Sequence, residues 1–223
     1  MKNELRRGVG EYRNMNLDYR VIHSGSDGNS VRIGDILIDC GRPYKEVAED
    51  AHKCRLLFLT HRHSDHIKLA TYRQLRKVNP QLKVAGNYDV ADYLFKQHAP
   101  KPDFVTTPGT PITCKAWTLT PFGVPHDVPC QGIVIEMGGL RIIYVTDSAG
   151  TKTWPKGKYD YLFIESNHDE QKIMQAAHKK YGYDVFGNAK RHTSTQESKA
   201  FYYINRASKD APWIELHKSK RFY

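Results

Sequence analysis

Cysteine is scarce and scattered in this chain: the four, Cys40, Cys54, Cys114 and Cys130, form no CxxC pair. That excludes a disulfide-stapled small scaffold, which is far denser in cysteine, and a cysteine-based zinc knuckle, which needs paired spacing. Reduced thiols in a cytoplasmic protein are the expectation. No apolar run approaches the length of a membrane span, and the opening MKNELRRGVGEYRNMN lacks the apolar stretch of a signal peptide. There is no internal repeat and no low-complexity linker. Acidic residues are also in deficit, 24 Asp+Glu against 34 Lys+Arg, a formal charge of +10 with histidines neutral. Such a balance favours an anionic partner such as nucleic acid or a nucleotide, a solvated basic surface being the plainer alternative.

What the chain does have is length enough, 223 residues, for one large domain with a substantial core. Residues 1–16 are polar and read as a flexible arm, leaving 17–223 as a single domain. YRVIHSG and SVRIGDILIDCG read as short strands around the turn-forming cluster SGSDGNS. CRLLFLTH is a continuous apolar strand, followed by a helical stretch through IKLATYRQLRKV that Pro80 ends. LKVAGNYDVADYLFKQ repeats the strand–helix order. GIVIEMGGLRIIYVTDS carries a two-residue hairpin signal in its GG. YDYLFIESNHD is a further buried strand, DEQKIMQAAHKKY and TQESKAFYYINRA are helix-like around a polar FGNAKRHTS, and PWIELH is a last short strand. Strands that first alternate with helices and later cluster imply a mixed α/β (α+β) sheet system covered by helices.

The stretch THRHSDH packs His61, His63, Asp65 and His66 directly behind an apolar strand. A histidine at a strand end is a good metal ligand because its backbone is already fixed. His61 and His63, two apart, face one way if strand geometry persists, whereas Asp65 and His66 are expected to open the following helix. That suggests two ions side by side, one on the His61/His63 pair and one on Asp65/His66. Imidazole with carboxylate suits zinc, with manganese or iron compatible. Further ligands are available where other strands end: His126 in FGVPHDVP (with Asp127 as a rival), Asp147 in RIIYVTDSAG, able to bridge both ions, and His217 in WIELHKSKRFY.

These residues resemble a known family. THRHSDH looks like the HxHxDH signature of the metallo-β-lactamase superfamily, in its phosphodiesterase and nuclease branches. HSGSDGNS, LIDCG, VTDSAG and IESNHD are similar to segments of the WalJ/YycJ-like nuclease group, and RHTS with LHKSKRF to the paired histidine motifs of ribonuclease Z. The resemblance runs from about Tyr19 to the end of the sequence. It implies an αβ/βα sandwich of two mixed β-sheets flanked by helices. By position it implies that His61, His63 and His126 hold one metal, that Asp65, His66 and His217 hold the second, and that Asp147 bridges. It further implies that His192 of RHTS contacts the scissile phosphate as a non-ligand and that Glu165 orients it, with Asp65 also holding the nucleophile. The roles of Asn167 and His168 stay open, and a homodimer is compatible.

The function so implied is a two-metal phosphodiesterase acting on nucleic acid, a DNA exonuclease by its likeness to the WalJ/YycJ group. The alternative is a cyclic-nucleotide phosphodiesterase of the kind phages use against cyclic-nucleotide signalling. From another class comes a non-catalytic nucleic-acid-binding module, against which the intact ligand set argues. The C-terminal third supplies cations (Lys179, Lys180, Lys190, Arg191, Lys199, Lys218, Lys220, Arg221) interleaved with Tyr181, Tyr183, Phe186, Phe201, Tyr202 and Tyr203. About half of these rings are expected to be packing rather than base-stacking surface.

Overall fold

The computed structural model describes residues 16–176 and 184–223. The arm expected over residues 1–16 therefore falls, but for residue 16, outside the described residues, as do Lys179, Lys180, Tyr181 and Tyr183.

Two mixed sheets lie face to face. The first runs in chain order through β1 (Tyr19–His23), β2 (Ser30–Ile33), β3 (Ile36–Ile38), β4 (Leu56–Leu59), β5 (Lys83–Asn87) and β6 (Phe104–Thr106). Its first three strands are antiparallel, and β3 to β6 are parallel. Parallel neighbours need a crossover, supplied by α1 (Tyr44–His52), α2 (Leu69–Val78) and α3 (Tyr88–Lys96). The second sheet comprises β7 (Ile112–Thr113), β8 (Trp117–Val124), β9 (Cys130–Met137), β10 (Leu140–Val145), β11 (Tyr161–Glu165) and β12 (Trp213–Leu216), also in chain order. Here β7 to β10 are antiparallel and β10 to β12 parallel. Between β11 and β12 lie α4 (Glu170–Ala176), α5 (Val185–Ala189) and α6 (Thr195–Asn205). Among the described residues no helix is long and apolar enough to cross a membrane.

The alternation of side chains along a strand sorts the apolar residues into layers. Ile36, Ile38, Leu56 and Phe58 meet Ile133, Ile135, Ile142, Tyr144 and Phe163 between the sheets. Their neighbours Leu37, Leu57 and Leu59 face outward onto Val47, Tyr72, Leu75, Val90 and Leu94 of α1 to α3. On the other side Ile143, Val145, Leu162 and Ile164 lie under Phe201 of α6. Strands covered on both faces read as unbroken apolar runs, which is why CRLLFLTH and YDYLFIE carry no polar alternation. Phe201 is thus a core residue rather than a base-stacking one, and Tyr202 stacks on Trp213 at 5.3 Å between ring centroids.

Local chemistry sets the turns. Gly138 and Gly139 both take positive φ, 56° and 77°, as a two-residue hairpin between β9 and β10 requires. The single run SVRIGDILIDCG is divided into β2 and β3 at Gly34, and FGNAKRHTS, expected as a polar connection, contains the short helix α5.

The helix α1 is mostly polar, and its buried residues include the carboxylate of Asp50. Arg32 of β2 donates from Nε to Asp50 at 2.9 Å, Arg20 donates from Nη1 at 3.0 Å, and Arg32 also bonds Asp18 twice at 2.8 Å. Arg32→Leu would leave the buried Asp50 with only the half-exposed Arg20. The expected loss is about 3 kcal/mol, the lower end for orphaning a buried charge. A urea melt checks it, with a lower midpoint and an unchanged slope.

Candidate metal centre

The ligand residues lie at or just beyond the carboxyl ends of strands, the edge at which α/β sheets open a crevice for ligands, and His192 reaches the same place from the segment between α5 and α6. Parallel registers bring those ends level: Val145 pairs with Ile164, and Glu165 with Leu216. Asp147, Glu165 and His217 therefore emerge together from the second sheet, His126 follows β8, and Asp39 and the THRHSDH segment follow β3 and β4 of the first. Asp39, Asp147 and His217 take positive φ of 60°, 53° and 52°. For residues with a Cβ this costs roughly 1–2 kcal/mol each, so three such residues beside one crevice mark it as a place where strain is held for function.

The side chains converge into overlapping groups. His61 Nε2 stands 3.1 Å from His63 Nδ1, and His126 Nε2 stands 3.3 Å from the same atom. Zinc–nitrogen bonds of about 2.1 Å in a tetrahedron put neighbouring ligand atoms about 3.4 Å apart, so these three imidazoles already have the spacing of a shared ion. Beside them His66 Nε2 lies 3.0 Å from Asp147 Oδ2 and 3.5 Å from Asp65 Oδ2, and His217 Nε2 lies 3.5 Å from Asp147 Oδ1 and 3.9 Å from Asp65 Oδ2. The groups His61–His63–His126, Asp65–His66–His217 and His61–His66–Asp147 each keep their ligand atoms within 4.8 Å of one another. His217 Nε2 is buried without a hydrogen-bond partner, which fits a nitrogen aimed at an ion. All seven residues singled out in the sequence come together here, with Asp147 shared between the clusters.

Charge tells the same story. Burial, with His66 next to it, pushes the His61 imidazole well below its ordinary pKa, so its lone pair is free for a cation. Burial opposes a charge on His66, but the carboxylates of Asp147 and Asp39 outweigh it and hold the pKa well above the usual range. At His217 burial is likewise outweighed, by Asp147, Asp65 and Glu165, and the pKa rises to about 9. Asp147, despite its burial, is held well below the carboxylate range by His217 and His66. A crevice that draws protons onto its imidazoles is one that favours cations, and divalent ions held by neutral histidines supply that charge directly.

A further group, Asp147, Glu165, His192 and His217, also meets the distance condition, but the Glu165 oxygens are already committed. Glu165 Oε2 accepts from the backbone N–H of Ser148 at 2.9 Å and of Thr193 at 3.0 Å, and Oε1 lies 2.7 Å from His192 Nδ1. Glu165 and His192 thus form a dyad beside the ligand clusters. Burial works against a charge on His192, and Glu165 more than compensates, raising the pKa. His192 and His217 rings stack at 4.9 Å and both line a cavity of about 380 Å³ together with Lys218, Lys220 and Arg221.

The structure corrects one expectation and adds residues that the sequence does not mark. Asp65 and His66 sit in a turn closed by His66 N–H and Ile67 N–H to His63 O, three residues before α2 begins at Leu69. That turn is braced from behind. Asn29 N–H donates to Asp65 O at 2.6 Å, and a Cβ at Gly41 would come within 1.7 Å of the same oxygen. The SGSDGN and LIDCG segments therefore shape the Asp65 turn. Gly28 N–H is spent on Gly25 O, so the loop closes as a turn of its own. Asp39 was missed as a site residue. Fully buried, it accepts from Thr60 N–H at 2.8 Å and lies 2.7 Å from His66 Nδ1. Burial raises its pKa. A carboxylate at Nδ1 fixes the tautomer that turns Nε2 toward an ion, and Asp39→Ala is expected to weaken divalent-ion affinity about 10- to 100-fold, read by competition with a chromophoric chelator. Asn167 also gains a role: its amide donates to His217 O at 2.7 Å, holding that histidine's backbone. The C-terminal segment is tied down through Asp169 N–H to Phe222 O at 2.7 Å.

Comparison with known proteins decides the family. Residues 35–202 match the beta-lactamase superfamily domain. The chain belongs to the beta-lactamase superfamily. Membership, together with the clustered ligand groups, makes it a metal-dependent hydrolase. Among solved structures, the superfamily member YhfI from Bacillus subtilis is 21% identical with a TM-score of 0.66, over 90% of this chain and 85% of that one. Human tRNase Z, short form, is 16% identical with a TM-score of 0.67, over 91% and 93%. A diphosphatase of the PhnP family is 18% identical with a TM-score of 0.62, over 92% and 87%. At these identities the likeness is one of fold. No curated protein matches the chain by sequence.

Proposed function

We propose that this superfamily member is a two-metal phosphodiesterase acting on nucleic acid, with exonuclease-like action on DNA as its leading form. The observation that carries the reading is the Glu165–His192 dyad, an imidazole paired with a buried carboxylate beside the ligand clusters, on a cavity edged by Lys218, Lys220 and Arg221. Cations gathered around a metal centre suit a phosphate far better than a neutral amide or ester. Two solved neighbours, tRNase Z and the PhnP-family diphosphatase, bear names of the same chemical kind.

His61, His63 and His126 would hold one ion, Asp65, His66 and His217 the other, with Asp147 between them. The nitrogen and oxygen donors suit zinc, and manganese second. Such ions, when bound, lower the pKa of water so that hydroxide is available at neutral pH. The chain's own groups do the rest. Lys218 and Lys220, which also pair with Glu215 and Asp27, edge the cavity that the phosphate would enter. His192, whose protonated form Glu165 favours, donates to a phosphoryl oxygen and then to the leaving oxygen. The net reaction adds water across one P–O ester bond, giving a phosphomonoester and an alcohol whose oxygen carries the transferred proton.

A second reading, hydrolysis of a small cyclic nucleotide, is favoured by the cavity beside His192, whose roughly 380 Å³ is enough for a whole small ligand. A panel of DNA, RNA and cyclic mononucleotides on zinc- and manganese-reconstituted protein separates the two. The first reading expects polynucleotide cleavage that a chelator abolishes. Rapid turnover of cyclic nucleotides with no polynucleotide cleaved would replace it by the second.

A further inference from the structure

Two cavities adjoin the ligand cluster. One, of about 380 Å³, is bounded by His217, His192 and Lys218 and has an apolar wall of Ile173, Val185 and Phe222. The other, of about 340 Å³, is bounded by Asp65, Lys68 and Leu69 and carries the ring of Tyr93. His217 and Asp65 belong to one ligand group, so each cavity is bounded by a ligand of the same ion position. Ser26 lines both and so stands between them.

That divider is braced. Asp27, next to Ser26, lies 2.8 Å from His23 Nε2 and accepts from Lys220 Nζ at 3.2 Å, while Arg42 donates to its carbonyl at 2.9 Å. Each cavity exceeds the roughly 300 Å³ at which small-ligand pockets begin. Each also pairs an apolar or aromatic wall with a lysine, the combination that takes a base on one side and a phosphate on the other.

We infer that the site takes a linear, single-stranded phosphodiester whose two flanking nucleosides part over the Ser26–Asp27 ridge, one entering each cavity, with the linkage between them on the ligand cluster. The inference rests on the phosphodiesterase reading above and narrows it. A 3′,5′-cyclic nucleotide carries both ester oxygens on one ribose, so it fills one cavity and leaves the other without a tenant. In a duplex the two bases stay stacked and paired, and parting them costs the unstacking and unpairing energy that a single strand largely escapes.

The test uses the zinc-loaded full chain. Substrates are thymidylyl-(3′→5′)-thymidine, thymidine 3′,5′-cyclic phosphate, and an oligothymidylate alone or annealed to oligodeoxyadenylate. The dinucleotide should exceed the cyclic ester in kcat/KM, and the free strand the annealed one, each by about tenfold or more, the value of one base–ring contact. Binding gives an independent readout through the uncleavable dinucleotide with a bridging methylene in place of the leaving oxygen. Its Kd should rise about tenfold in Tyr93→Ala. Tyr93→Leu, which keeps bulk against the second core layer, should show the same rise, and Tyr93→Phe should restore the wild-type Kd. Equal or better turnover of the cyclic ester, equal cutting of free and annealed strands, or an unchanged Kd in both ring-less variants overturns the inference. If bis(p-nitrophenyl) phosphate is hydrolysed in those cases, only the inference falls. If it is not hydrolysed at all, the phosphodiesterase reading falls as well.

Discussion

Asp147→Ala is expected to reduce phosphodiester turnover by about 10³-fold or more, beyond the roughly 10²–10³ lost with a single hydrogen-bond donor to a developing charge. The reason is its position in two clusters at once. One oxygen lies 3.0 Å from His66 and the other 3.5 Å from His217, and His61 shares a ligand group with it. Removing the carboxylate leaves those imidazoles facing one another with less negative charge between them, so bound metal should fall below that of the wild type. Asp147→Asn keeps the shape and removes the charge, and it should fail in the same way. Chain folding, followed by circular dichroism, should survive, since Asp147 is not among the apolar side chains packed between the sheets. Wild-type turnover in Asp147→Ala would remove the shared carboxylate from the account.

His192→Ala is expected to lower kcat by about 10²–10⁴-fold, the range for losing a positioned proton donor, without loss of metal. Glu165 keeps its bonds to the backbone of Ser148 and Thr193 in that variant, so the ligand clusters are undisturbed. The leaving group sharpens the result. A p-nitrophenolate departs without a proton, whereas a nucleoside alkoxide needs one, so the p-nitrophenyl ester should suffer far less than a dinucleotide. An equal loss on both substrates would reduce His192 to a phosphate-binding cation.

Much of this was legible in the sequence because the relevant signals are local. The apolar run before THRHSDH announces a buried strand, and ligands clustered within one short segment need no tertiary information to be noticed. His126, Asp147 and His217 were legible by the same rule, each standing just after a strand. Other features depend on contacts between distant segments. Asp39 looks like an ordinary turn aspartate until β3 and β4 pair and bring it to His66, 2.7 Å away. The brace of Asn29 and Gly41 on the Asp65 carbonyl is likewise a meeting of separate segments, visible in the sequence only as short motifs without a stated task. The expected helix start at Asp65 is not met because the segment closes as a turn on His63 O, and α2 begins only at Leu69. Strands of two or three residues such as β6 and β7 carry too little periodicity to be read, and α1 has few apolar residues to announce its buried face. Phe201 shows the converse: in composition it is one of a run of aromatics near basic residues, and only packing against β10 and β11 reveals it as core.

The measurement that bears most directly on the whole account is the number of divalent ions per chain. Metal-stripped protein titrated with zinc, followed by calorimetry and by elemental analysis after desalting, should bind two ions per chain, gain thermal stability, and recover phosphodiesterase activity as the second ion fills. A chain that saturates at one ion or none, or that hydrolyses phosphodiesters equally well when fully stripped, would contradict it.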